Sequence, residues 1–206
     1  MSFRTASIFR DALLGLKVMH NNGWIHRDIK PPNIGVMPTG AVLLDIGQAK
    51  LLKSGCKLHA TPGCTGTINY LAPEREMSEY DQLADIWAMG CIGFEMTYGY
   101  HPFSFTVNPW RSGKRYEEMR SRFHAKYREA IDKLSADYKK YLVKKTAGDS
   151  EDFLHLGDLI VQMLRHPFAK TSHDCGRRIN IDEALNHPAW QPLLFDDPQR
   201  KRARLN

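Results

Sequence analysis

The run from Ile25 to Asp45, IHRDIKPPNIGVMPTGAVLLD, constrains this chain more than any other stretch. It gathers His26, Arg27, Asp28, Lys30 and Asn33 on one short loop, then delivers a second acid, Asp45, followed by Ile46 and Gly47. A carboxylate accepts a hydroxyl proton, an ammonium neutralises phosphate charge, and an amide with a second carboxylate offers hard oxygen ligands for Mg²⁺. At this spacing the set could converge on a metal-bound phosphate. Between the two acids, Val36, Val42, Leu43 and Leu44 suggest two short strands joined around Pro38-Thr39-Gly40, a turn sequence. A hairpin there would hold Asn33 and Asp45 at neighbouring positions at one end.

The flanking segments are helical. Ser7 to His20 places apolar residues at helical period, with Ser7 as the expected N-cap and Asn21-Asn22-Gly23 as the stop, since Asn and Gly tolerate the left-handed conformation. Asp81 to Met96 is apolar on nearly all sides, the pattern of a buried helix. Lys50 to Cys64 is polar with Gly and Pro and reads as a loop. From Arg111 to Lys145, twelve Lys or Arg stand against five Asp or Glu, and recurring Tyr, Phe, Met and Leu suggest two amphipathic helices. Their basic faces are either solvated or a docking surface for acidic substrates or partners. The tail from 196 to 206 ends in RKRAR, open to reading as a nuclear-import signal or a solvated tail.

In order, H-R-D-x-K-x-x-N then D-x-G resembles the catalytic loop and metal-binding turn of eukaryotic protein kinases. Gly66 to Glu74, GTINYLAPE, resembles the end of the kinase activation segment. DQLADIWAMGCIGFEM resembles the central helix of that family, and RRINIDEALNHPAW its closing motif. The resemblance implies a mainly α domain with a small β-hairpin, a kinase C-terminal lobe over roughly 1–195. Residues 104–150 and 168–176 match least well. It further implies γ-phosphate transfer from ATP, with Mg²⁺, to serine or threonine hydroxyls of a protein substrate. Asp28 would orient the hydroxyl or take its proton, Lys30 would contact the γ-phosphate, and Asn33 and Asp45 would hold Mg²⁺. His26 would pack beneath the D-x-G turn, while Arg27 would face a phosphate on the activation loop, with Thr61 and Thr65 as acceptors. Thr67 would belong to the substrate-facing site. Asp85 would bond the catalytic-loop backbone, and Glu74 would pair with Arg178, or failing that with Arg177.

Departures from the family are equally specific. No Gly-rich phosphate loop and no lysine in a V-A-I-K context occurs, so the expectation is a floor for nucleotide without its roof. The D-F-G phenylalanine is replaced by Ile46, which can still pack though without an aromatic ring, and Gly35 removes contact area beneath the adenine. An isolated lobe would be weak or inactive. Its open face would invite a covering partner, and the alternative is a non-catalytic, kinase-derived binding module.

Composition narrows the remaining classes. At 206 residues the chain suffices for one domain burying roughly 70% of its unfolded surface. A net charge of +6 invites nucleic acid, but no aromatic-basic interleaving supports it. Apolar runs are too short to span a membrane. Cys56, Cys64, Cys91 and Cys175 lack metal-site spacing. With no apolar leader at the start, they suggest the cytoplasm or nucleus.

Overall fold

A computed structural model describes residues 1–53, 55–60, 65–104, 114–146, 155–166 and 177–195. Helix α1 (Phe3–Asn21) begins five residues ahead of the expected start. Its N-cap is Ser2, whose hydroxyl accepts the Thr5 N–H, so Ser7 is an ordinary helical residue. Phe9, Leu13, Leu16 and His20 line its buried face, and Gly23 at φ +78° turns the chain out of it. Strand β1 (Trp24–Ile25) then enters the loop, and β2 (Ile34–Met37) pairs antiparallel with β3 (Gly40–Leu43). The expected hairpin is present, in the register Ile34–Leu43 and Met37–Gly40. Beyond its open end the Leu44 N–H bonds the Asn33 carbonyl at 2.9 Å, so the two site-bearing segments leave the hairpin together.

The polar stretch from Lys50 is more ordered than its composition suggests. β4 (Lys50–Leu51) pairs with β1, and β5 (Leu58–His59) pairs with β6 (Glu79–Tyr80). Between them lies the short helix α2 (Pro73–Met77), whose proline sits in the first turn, where its missing N–H costs nothing.

Helix α3 (Leu83–Tyr98) is buried continuously from Ala84 to Phe94 and forms the centre of the core. The basic stretch forms one helix rather than two: α4 (Lys114–Thr146), 33 residues long. Its buried positions Phe123, Tyr127, Ala130, Ile131 and Leu134 fall at i, i+4, i+7, i+8 and i+11, a single unbroken stripe. That stripe docks on α3 through aromatic rings, with Trp87 stacked on Tyr127 at 6.0 Å and tilted against Phe123 at 6.2 Å. Helices α5 (Gly157–Met163), α6 (Ile181–Leu185) and α7 (Gln191–Phe195) complete the described core. α6 opens on a capping box in which Asn180 and Glu183 satisfy each other's backbone N–H groups. The architecture is mainly α with small antiparallel pairs. Thr61 and the basic tail 196–206 lie outside the described residues.

Candidate active site

The loop between β1 and β2 is anchored from below by one buried carboxylate. Asp85, on the first turn of α3, accepts the backbone N–H groups of His26 at 2.8 Å and Arg27 at 2.9 Å. Its Oδ2 also accepts from His20 Nε2 at 2.9 Å, and both side chains are buried. His26, fully buried, accepts the Asp28 N–H through Nδ1 and donates through Nε2 to the Leu44 carbonyl at 3.1 Å. One imidazole thereby ties the start of the loop to the residue preceding Asp45.

Arg27 (φ +73°) and Asp45 (φ +56°) are the only non-glycine residues among those described with positive φ. That conformation is costly for side chains that carry a Cβ and persists where surrounding bonds over-determine it. At Arg27 the bonds come from Asp85. At Asp45 the carboxylate accepts the Gly47 N–H at 3.3 Å and caps a short 3₁₀ turn from Ile46 to Gln48. Arg27 lies within the loop, and Asp45 follows the hairpin that the loop feeds.

Three polar side chains surround the buried Asp28. Lys30 Nζ donates to Asp28 Oδ2 at 2.8 Å, and the Thr67 hydroxyl donates to Oδ1 at 2.9 Å while receiving from Lys30 Nζ at 3.2 Å. Asn33 Nδ2 donates to the Asp28 carbonyl at 2.8 Å and to Oδ2 at 3.3 Å. Burial pushes the Asp28 carboxyl up, but the bonds from Lys30 and Thr67, the Lys30 charge and the Asn33 bond outweigh it. The group stays below the usual carboxylate range and is ionised at neutral pH. The Thr67 contact shows that this carboxylate can hold an aliphatic hydroxyl.

Asn33 spends its amide N–H₂ on Asp28, leaving Oδ1 without a hydrogen-bond partner among the described residues, and Asp45 stands exposed. Oxygen ligands from an amide and a carboxylate suit a hard divalent cation that takes its remaining ligands from phosphates and water. Among the described residues no group of three or more His, Cys, Asp or Glu is placed to hold a metal by itself. Ile46, which could have packed in place of an aromatic ring, is 66% exposed. At Gly35 a Cβ would meet Leu44 Cδ1 at 3.1 Å and Val42 Cγ2 at 3.2 Å, so neighbouring aliphatic groups crowd the space that the glycine leaves.

On the side of the Gly66–Glu74 stretch, two guanidiniums converge on Thr65. Arg27 Nη2 donates to its Oγ1 at 3.0 Å and Arg75 Nη2 to the same atom at 2.8 Å. Arg75 also donates to the Arg27 carbonyl at 2.6 Å, fixing the strained residue from behind. Gly66 (φ +89°) makes room, since a Cβ there would meet Leu71 Cδ2 at 2.8 Å and Arg75 Nη1 at 2.9 Å. Glu74 is held by Arg178 through both guanidinium nitrogens, and Arg178 also bonds the Leu83 and Arg165 carbonyls. Burial pushes the Glu74 carboxyl up, but the Arg178 charge and bonds bring it below its ordinary value. Arg177 instead meets Glu183 at the surface. Neither Arg75 nor His20 was singled out as polar from the sequence. The available signals were an arginine directly after A-P-E and a histidine at an apolar-periodic helix position.

In this mainly α fold, one strained loop brings an ionised acid, a lysine and an asparagine together. A family model described as the protein kinase domain matches residues 2–190. The chain belongs to the protein kinase family. Among curated proteins it is similar to mitogen-activated protein kinase kinase kinase 1 of Arabidopsis thaliana, 34% identical over 170 residues, covering 78% of this chain and 25% of that protein. It is also similar to the kinase kinase kinase ANP1 of the same plant, 30% identical over 184 residues, covering 86% of this chain and 26% of that protein. Serine/threonine-protein kinase PknB of Mycobacterium tuberculosis is 36% identical over 104 residues, 49% of this chain and 17% of that protein. The chain thus spans about a quarter or less of the length of these relatives. No helix among the described residues is long and apolar enough to cross a membrane.

Proposed function

We propose that residues 1–195 act as the substrate-facing, C-terminal lobe of a serine/threonine protein kinase. The observation that carries this reading is the Thr67 hydroxyl bonded to Asp28 while Lys30 bridges both. A substrate hydroxyl taking the place of Thr67 would meet an ionised carboxylate and an ammonium already aimed at one point. Held below the usual carboxylate range, Asp28 is a weak base. Its work is to orient the hydroxyl and receive the proton late, once bond formation has made that proton acidic. Lys30 would offset charge on the transferring group, and Asn33 Oδ1 with the Asp45 carboxylate would hold Mg²⁺. Bound ATP with Mg²⁺ would supply the phosphoryl group. Arg27 and Arg75 would receive a phosphate on Thr65, a doubly charged acceptor for two donors already in place.

The test is γ-phosphate transfer by the natural gene product to a serine- and threonine-containing protein. Asp28→Asn should lower transfer by at least about 100-fold, with the protein remaining folded by circular dichroism. Undiminished transfer by that variant overturns the assignment of Asp28. Absence of transfer by the unaltered protein, with partner binding retained, would favour the binding-module alternative.

A further inference from the structure

Helix α4 carries eleven Lys or Arg against five Asp or Glu. That is the chain's whole net charge of +6, and the remaining residues balance at eighteen of each sign. The charge is also ordered. At ~100° per residue, Arg122, Lys126, Lys133, Lys140 and Lys144 fall within a sector about 40° wide, and no acid of α4 lies inside it. All five are exposed. From Arg122 to Lys144 the row extends about 33 Å at ~1.5 Å per residue. It follows the flank of the helix beside the buried stripe from Phe123 to Leu134.

The contacts of these side chains leave the charge at the surface. Arg122 pairs with the exposed Glu118 at 2.6 Å, and Lys140 stands 3.9 Å from Asp137. Lys126 donates to the Ser104 carbonyl at 3.3 Å, and Lys133 lies 4.6 Å from the centre of the Tyr98 ring. Exposed contacts of this kind contribute little, so the same cations can serve a second set of carboxylates. Tyr98 abuts Tyr100 at 6.2 Å, and Tyr100, 51% exposed, gives the middle of the row an aromatic border. Glu129 and Asp137 lie just outside the row, one on each side. A phosphate backbone or an anionic lipid surface, negative throughout, would meet those acids as well as the lysines. A polypeptide can set carboxylates against the row and neutral side chains against the acids.

We propose that this row docks an acidic helical segment of a protein partner, with Glu or Asp recurring every seventh residue and an apolar residue beside the middle one. Lys126, Lys133 and Lys140 are themselves seven positions apart, about 10.5 Å along the axis for each step. Two helices lying side by side keep a seven-residue pattern in register with only ~20° of drift per repeat. Three carboxylates at that period therefore meet three ammonium groups, and Arg122 and Lys144 extend the row by about one turn at each end. The apolar residue of the partner would rest on Tyr100. This inference is independent of the phosphotransfer reading, because it uses none of the residues around Asp28.

The experiment is fluorescence anisotropy of the protein at low salt with a labelled helical peptide built on Ala and Gln. The peptide carries three Glu at seven-residue spacing and a Leu beside the middle one, and a second peptide of the same composition scatters its Glu around the helix. Saturable binding of the first peptide is expected, weakened about tenfold by Lys133→Glu with Lys140→Glu. That variant should in turn prefer a peptide with Lys in place of Glu. Arg128→Glu with Lys139→Glu changes the protein's charge equally but lies outside the row, and should shift affinity by less than about twofold. All four positions are exposed, so the core is untouched. No saturation up to about 1 mM peptide, equal affinity for the scattered peptide, or equal weakening by the two variants overturns the proposal. So does tighter binding of a DNA duplex or of phosphatidylserine vesicles at the same salt, since nucleic acid or lipid would then be the occupant.

Discussion

Asp85 carries more of the site than its position suggests. A single carboxylate satisfies two backbone N–H groups and a buried histidine, and one of those N–H groups belongs to Arg27, held at φ +73°. Asp85→Asn keeps the shape but replaces an acceptor oxygen with an NH₂ that faces donors. Unfolding by urea should show a loss of about 2–4 kcal/mol, with the loop around Asp28 disordered by hydrogen exchange. A loss below about 0.5 kcal/mol would mean the loop is held elsewhere. Glu74 and Arg178 pose a different case, a buried pair. Removing either partner strands a charge and should cost about 3–5 kcal/mol, while Glu74→Gln with Arg178→Met should recover part of that. Strict additivity of the two single losses would contradict the pairing.

At the scale of elements, the contact between α3 and α4 is an aromatic box that contains neutral histidines. Burial, with the nearby charge of Lys126, pushes His101 down to about 4. Burial and His124 do the same to His166, also about 4. The unfolded chain takes up these protons at the ordinary histidine value, about 6.5, before the folded chain does. The stability is therefore complete above about pH 6.5 and is lost progressively as pH falls toward about 4. Between about pH 6.5 and pH 5 the loss should be about 2 kcal/mol per group. His166→Phe should flatten that part of the profile, where carboxylates still titrate little. An unchanged slope in the variant would remove His166 from the account. The same box explains why α4 is continuous: one stripe from Phe123 to Leu134 meets one surface, so nothing in the packing asks the helix to break.

For the molecule as a whole, Asp28 and Asn33 are buried and Lys30 is half-buried, while Asp45 and Ile46 stand exposed after the hairpin. Electrostatic interactions of a group exposed to water are screened, so a Mg²⁺ held at Asp45 would act at reduced strength. The 206-residue chain assayed alone should transfer phosphate weakly or not at all. Turnover comparable to a typical kinase, about 1–100 per second, would show that these residues suffice unaided.

By itself the sequence determined the catalytic-loop motif, the hairpin around Pro38-Thr39-Gly40 and the buried helix from Leu83, because turn chemistry and hydrophobic period are local properties. It also placed Asp85 beneath the loop and Arg178 opposite Glu74, through motif order rather than through any physical signal in their neighbourhoods. Only the tertiary structure decided the rest. His20 meets Asp85 across 65 positions, and Arg75 reaches Arg27 across 48. Ile46 is left exposed, and α4 runs unbroken where two helices were expected. Periodicity reports which face of an element is apolar, but which partner covers that face, or leaves it open, depends on chain segments far apart in sequence.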